Sequence, residues 1–234
     1  MRRLRPTDGT TVHRRAAIYH LAQCKTGKDP LHGTLHAEMR ARIDALKAKA
    51  REVEDCDDAD VEATAEADRA EINVENVVRD VDADLAKLDR LDPTLNAQRA
   101  VFPEGFGQVI DPDGDAQLGV LPALRVRLAA FESHAEIAAQ LAQLDAAEAA
   151  LRVTLAASDA AETKVDALFA EEQAARLAIR VQLESAYGRL RDLYKARPAL
   201  AEGFFLKEGG ARRAKKEAPS PADAAATAAT TKTG

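Results

Sequence analysis

The side chains with the widest chemical repertoire gather near the start of the chain. His13, His20, His32 and His36, four of the five histidines, and Cys24, one of two cysteines, fall within the first 36 residues. His20 and Cys24 are four apart, as are His32 and His36 in "HGTLH", and on a helix that spacing places both members of a pair on one face. Imidazole nitrogen and thiolate sulfur so arranged could bind zinc or another transition metal. Pro30 and Gly33 stand where such a helix would begin, and neither an H-E-x-x-H nor a C-x-x-C spacing supports the site. A di-iron bundle would need Glu-x-x-His twice, and the chain has none. A polar, basic surface helix explains the same residues, so the sequence assigns no metal ligand and no cofactor.

A second candidate is "DPDGD", where Asp111, Asp113 and Asp115 alternate as in a calcium-binding loop. That loop needs Gly at its sixth position and a bidentate Glu at its twelfth. Here Gly114 is fourth and Pro122 is twelfth. Ordinary turn chemistry accounts for the Pro-Asp-Gly run. The third candidate is "ARRAKK", in which Arg212, Arg213, Lys215 and Lys216 could neutralise phosphates without sequence specificity. Acidic side chains abound, but no pair stands apart as a general acid and base. No G-x-S-x-G, Walker loop or G-x-G-x-x-G is present, so hydrolytic-serine and nucleotide chemistry lack their usual signals.

The elements that must position these residues are helices. Ala, Lys, Arg, Leu and Glu make up just over half of the 234 residues, and Trp is absent, a composition that belongs to long helices and coiled coils. The expected class is all-α: an antiparallel bundle of two long helical hairpins behind a short N-terminal helix. Residues 1–30 supply that basic helix and its turn, 31–206 the bundle with a loop at 93–117, and 207–234 an Ala/Pro/Thr tail too poor in large apolar groups to order itself. Apolar steps of three and four run through Leu35, Met39, Ile43, Leu46, Ala50 and Val53, then Val74, Val77, Val78, Val81, Leu85, Leu88 and Leu91. A third stripe runs from Leu121 through Leu128, Phe131, Ile137 and Leu144 to Leu155, and a fourth through Val165, Leu168, Phe169, Leu177, Val181, Leu190, Leu193 and Tyr194.

Charge supplies two boundary signals. Lys47, Lys49 and Arg51 stand just before "EDCDDAD", as cations and anions do at adjoining helix ends. A turn with Asp57 as N-cap is expected at 54–60, and "SDAAE" at 158–162 is a softer signal that fits a turn or one longer helix. Net charge is +7 over residues 1–50, −10 over 51–100, −6 over 101–206 and +3 over 207–234. The first two segments are expected to pair inside the fold, which would offset the repulsion among Asp58, Glu62 and Glu66. Glu38 with Arg42, and Glu172 with Arg176, have ion-pair spacing on faces expected to be solvated.

"PEGF" at 103–106 is echoed by "AEGFF" at 201–205, and four of the six phenylalanines lie at these two places. Both segments are expected to fold over the bundle and bury their rings against helix ends. The C-terminal pattern "LRDLYKARPALAEGFFLKEGG" resembles uncharacterised all-helical proteins of high-GC bacteria. That resemblance implies an all-helical fold and carries no activity.

No stretch has the eighteen or so apolar residues of a membrane span, and "MRRLRP" leads into no apolar signal region. A soluble, cytoplasmic protein is therefore expected, and the cysteine spacing makes free thiols the expectation for Cys24 and Cys56. The function these observations favour is a non-enzymatic structural or interaction module. It would bind a protein partner or a second copy of itself, with no membrane and no small-molecule substrate evident. The alternative is a nonspecific nucleic-acid binder using the tail and the basic N-terminal helix.

Overall fold

A computed structural model describes residues 4–207. Those residues form helices and no strand, which is the expected all-α class. The helices are α1 (Thr10–Thr26), α2 (Pro30–Leu91), α3 (Ala97–Val101), α4 (Gly107–Ile110), α5 (Gly114–Ala129), α6 (Ala135–Leu193) and α7 (Pro198–Gly203). They divide into two compact units. One takes the described residues up to Lys47 and those from Ala174 onward, and the other is Ala48–Gln173. Among the described residues no helix is long and apolar enough to cross a membrane.

The turn expected at 54–60 is absent, and Asp57 caps nothing: α2 is helical through it. The open question at 158–162 is likewise settled as helix, inside α6. The reason is a seven-residue rhythm that the leucine stripes only partly reveal. Leu46, Val53, Asp60, Ala67, Val74 and Val81 recur every seventh residue, interleaved with Cys56, Ala63, Ala70 and Val77, and all are buried or half-buried. In α6 the same rhythm runs through Leu144, Leu151, Ser158, Val165, Glu172 and Ile179. A break at either point would throw the downstream stripe off its partner. An N-cap is worth about 1 kcal/mol, too little to compensate.

In the second unit α2 and α6 run antiparallel, which Thr64 beside Ser158 and Asp84 beside Gln140 establish. In the first unit they do so again, with Glu38 accepting hydrogen bonds from Gln182 and Arg189. That pairing corrects the expected Glu38–Arg42 contact. Glu172 is also buried rather than solvated. Its position in the seven-residue row, where residues face inward, is the cause. Leu91 of α2 and Phe169, Leu177, Val181 and Leu193 of α6, expected in the seams, are exposed, and Ile179, Leu183, Ala186 and Leu190 take the core.

The long third stripe is two helices, because α5 ends at Ala129 and α6 starts at Ala135. From Phe131 to Ile137 is a step of six, which turns about two-thirds of a rotation off the stripe. A short reversal fills the gap, with the Phe131 and His134 N–H groups bonded to the Leu128 and Phe131 carbonyls.

The expected loop at 93–117 holds α3 and α4, and carboxylates of α2 fasten it. Asp89 accepts the Ala97 and Gln98 N–H groups at 2.5 and 3.0 Å, Asp82 accepts the Gln98 amide at 2.7 Å, and Glu71 accepts the Gly114 N–H at 2.6 Å. Among the described residues, these carboxylates of the segment 51–100 are therefore engaged within their own unit, where charge had suggested pairing with residues 1–50. Lys49 does bond Glu52, but as a neighbour on the same helix. Asp58, Glu62 and Glu66 are exposed, where repulsion of a few tenths of a kcal/mol per pair is further screened by salt.

Candidate functional site

The chemically capable residues of the N-terminal segment lie inside the first unit, not on its surface. On α1 the buried positions are His13, Ala16, Ala17, His20 and Cys24. That corrects the surface-helix expectation. The histidines themselves occupy the three-and-four stripe, so a search for aliphatic residues alone finds only a loose pattern.

His20 is fully buried, and each edge of its ring is committed. Nδ1 lies 3.3 Å from the Phe204 carbonyl oxygen, so it carries the proton and donates. Nε2 is then an acceptor, 3.5 Å from the Cys24 sulfur, whose S–H donates to it. The ring face stacks on Phe205 with centroids 4.9 Å apart and planes 20° apart. Burial drives the His20 pKa down to about 4, partly countered by the Phe204 bond, and burial pushes the Cys24 thiol up to about 11.

A nucleophilic Cys–His pair requires thiolate and imidazolium in some proportion. Here desolvation favours the neutral form of both partners. What His20 does hold is the segment that follows α7, through the Phe204 carbonyl and the Phe205 ring.

His32 adopts the opposite arrangement. Its Nδ1 accepts the Asp29 N–H at 3.3 Å, so Nε2 carries the proton and donates to the Tyr194 hydroxyl at 3.1 Å. Its ring lies near-parallel to those of Phe204 and Tyr194, with centroids 5.0 and 6.0 Å away. Tyr187 meets Phe205 edge-on at 5.4 Å, and the Tyr19 hydroxyl reaches the Gly203 carbonyl at 3.5 Å. His13 donates Nδ1–H to the Gly9 carbonyl, and its Nε2 is buried without a partner among the described residues.

The local sequence explains why these rings meet. Pro198 fits the first turn of α7, where its fixed φ and missing N–H carry no penalty. The helix lasts six residues, and Phe204 and Phe205 follow at its end. At the facing corner Gly27 ends α1 and Asp29 caps α2 by accepting the Leu31 N–H at 2.8 Å. Any Cβ at Gly27 would overlap the His32 ring, so this glycine is needed for close approach rather than for an unusual φ.

Of the expected site residues, His20 with Cys24 and His32 with the C-terminal aromatics are brought together. His36 is only half-buried. Among the described residues no group of three or more His, Cys, Asp and Glu gathers to hold a metal ion. Asp111 and Asp113 flank the α4–α5 turn, with Gly114 at φ +56°. Arg212, Arg213, Lys215 and Lys216, and the expected disordered tail, lie outside the described residues. Tyr187, Tyr194, Phe204 and Phe205 were not singled out as site partners of the histidines. The signal available was that all three tyrosines and the second Phe pair belong to the two chain ends.

The second unit has the corresponding Phe segment. Phe102 is buried and Phe106 half-buried against a core of Val74, Val78, Val81, Leu121, Leu124 and Leu128. The two echoed segments thus each bury Phe rings in an apolar core, in the second unit among interior turns of α2 and α5 rather than at helix ends alone. A groove of about 300 Å³ opens beside Phe102, Val109, Val120 and Ala123, with Glu104 and Arg127 at its edge. Arg127 is held there by its bond to the Val101 carbonyl at 2.9 Å. No family model, curated protein or solved structure matches this chain.

Proposed function

We propose that this protein is a non-enzymatic helical interaction module, with α2 and α6 paired as antiparallel coiled-coil strands and a second copy of the chain docking along α6. One observation carries the reading. In the second unit, Ala139, Ala146, Val153, Ala160 and Ala167 recur every seventh residue on the side of α6 away from its seam. Ala142, Ala149, Ala156, Thr163 and Ala170 interleave with them, and all are exposed and uncharged. In a chain with 31% charged residues, an outer helix face of that length would ordinarily carry Lys and Glu. Small side chains spaced by three and four let a second helix approach closely. The neutral, buried state favoured for the Cys24–His20 pair supports the non-enzymatic side of the reading.

Light scattering on the purified chain tests it. A dimer mass at micromolar concentration, falling to the monomer in Ala160→Glu with helical content unchanged, is expected, since a charge on an exposed position should alter folding by no more than about 0.5 kcal/mol. A wild-type monomer at all concentrations, or a dimer indifferent to Ala160→Glu and Ala167→Glu, would count against it.

A further inference from the structure

We propose that the segment Pro198 to Phe205 is an acid-released latch, held across α1 by uncharged His20 and freed when that ring takes up a proton. The latch is fastened at three points. Phe205 stacks on His20, the Phe204 carbonyl accepts the His20 Nδ1–H, and the Phe204 ring stacks on His32. The neutral tautomer is fixed by the Cys24 contact, where Nε2 accepts the S–H while Nδ1 donates to the Phe204 carbonyl, and it is the closed latch that keeps this ring out of water. A second proton would go on Nε2. That would face an N–H toward a thiol and place a full charge where the ring has no access to water.

The surroundings offer that charge little compensation. From α1 the neighbours are Cys24 and Tyr19, with His13 two turns back, and from the latch they are the Phe204 carbonyl and the Phe205 ring. From α6 come Tyr187, Tyr194 and, 5.8 Å from the Tyr187 ring, the Arg191 cation, which would repel an imidazolium. From α2 comes His32, stacked on Phe204, while Asp29 is occupied at the Leu31 N–H. Glu202 and Lys207 are exposed. Among the described residues no carboxylate bonds to the His20 ring. The Phe205 face would attract the cation somewhat, but less than water would.

Opening moves His20 into solvent, where it protonates in the ordinary imidazole range, so acid shifts the equilibrium toward the open form. With a pKa of about 4 closed and 6.5 open, the open-to-closed ratio rises about twentyfold between pH 7 and pH 5. Opening bares the apolar cluster of Ala16, Ala17, Leu35 and Leu190 that Phe205 covers.

Hydrogen exchange on the full chain tests the latch through the Phe204 and Phe205 amides, which are bonded to the Ala201 and Glu202 carbonyls. After correction for intrinsic rates, their protection should fall about twentyfold from pH 7 to pH 5 while the α2 amides near Val77 stay protected. In His20→Asn, whose amide can still donate to the Phe204 carbonyl, the fall should disappear. Equal protection at both pH values, or the same fall in His20→Asn, would overturn the proposal. Should His20→Asn lose its helical signal, the His20 ring resonances of the wild-type chain decide. Titration well below the usual range, in step with the Phe205 resonances, supports the latch, and titration near pH 6.5 with Phe205 unmoved refutes it.

Discussion

Thr64 of α2 and Ser158 of α6 face each other with their hydroxyl oxygens 3.4 Å apart. The contact lies close to where charge and capping signals point to chain reversals, and both helices run unbroken past it. Proline tests this. Asp57→Pro and Asp159→Pro each remove a backbone hydrogen bond and clash with the preceding turn, so each should cost about 3 kcal/mol or more. Thermal unfolding followed by circular dichroism reads the loss, and a change below about 0.5 kcal/mol in either variant would mean a turn at that place.

Two glycines should respond with opposite sign. Gly119 lies inside α5, and a Cβ there meets nothing within 4 Å, so Gly119→Ala should stabilise by about 0.5–1 kcal/mol. At Gly27 the backbone would accept alanine, yet the His32 ring occupies the space. Gly27→Ala should destabilise by about 1–3 kcal/mol through overpacking. Urea midpoints measured side by side check the pair.

Asp89 caps α3 from eight residues upstream by taking two N–H groups at once. Asp89→Ala strands both donors in a half-buried place. The expected cost is about 1–2 kcal/mol, and the Ala97 and Gln98 amides should lose exchange protection before the rest of the second unit.

Acid should weaken the fold in two windows. His20 has a lowered folded pKa, so its contribution is complete above the unfolded value of 6.5 and declines as pH falls toward about 4. At most about 3 kcal/mol is at stake there. Asp84 is also lowered, first by its bond from Lys87 and then by that from Gln140, so what it contributes is present above 3.8 and disappears as pH falls through its folded value. Urea unfolding between pH 7 and pH 4 should show the first decline in wild type and a flatter profile in His20→Asn.

The Cys24 thiol, buried and with its pKa raised to about 11, should be inert to alkylating reagents in the folded chain at pH 8. Denaturant should restore the rate expected of an ordinary thiol. Prompt labelling of Cys24 without denaturant, located by peptide mass, would mean that α1 does not pack as described.

The sequence by itself determined the helical class, the apolar stripes ending at Val53 and beginning at Val74, the aromatic segments at 102–106 and 204–205, and the four-residue spacing of His20 and Cys24. Those are local properties, set by composition and by a period of three to four. Tertiary structure decided what no single helix encodes. Asp60, Ser158 and Glu172 read as surface or turn residues until a facing helix turns their positions inward. His20 and His32 read as solvated groups until the last helix, more than 160 residues away, lays Phe204 and Phe205 over them. Burial of a small or polar side chain depends on what packs opposite it, and that partner is distant in sequence.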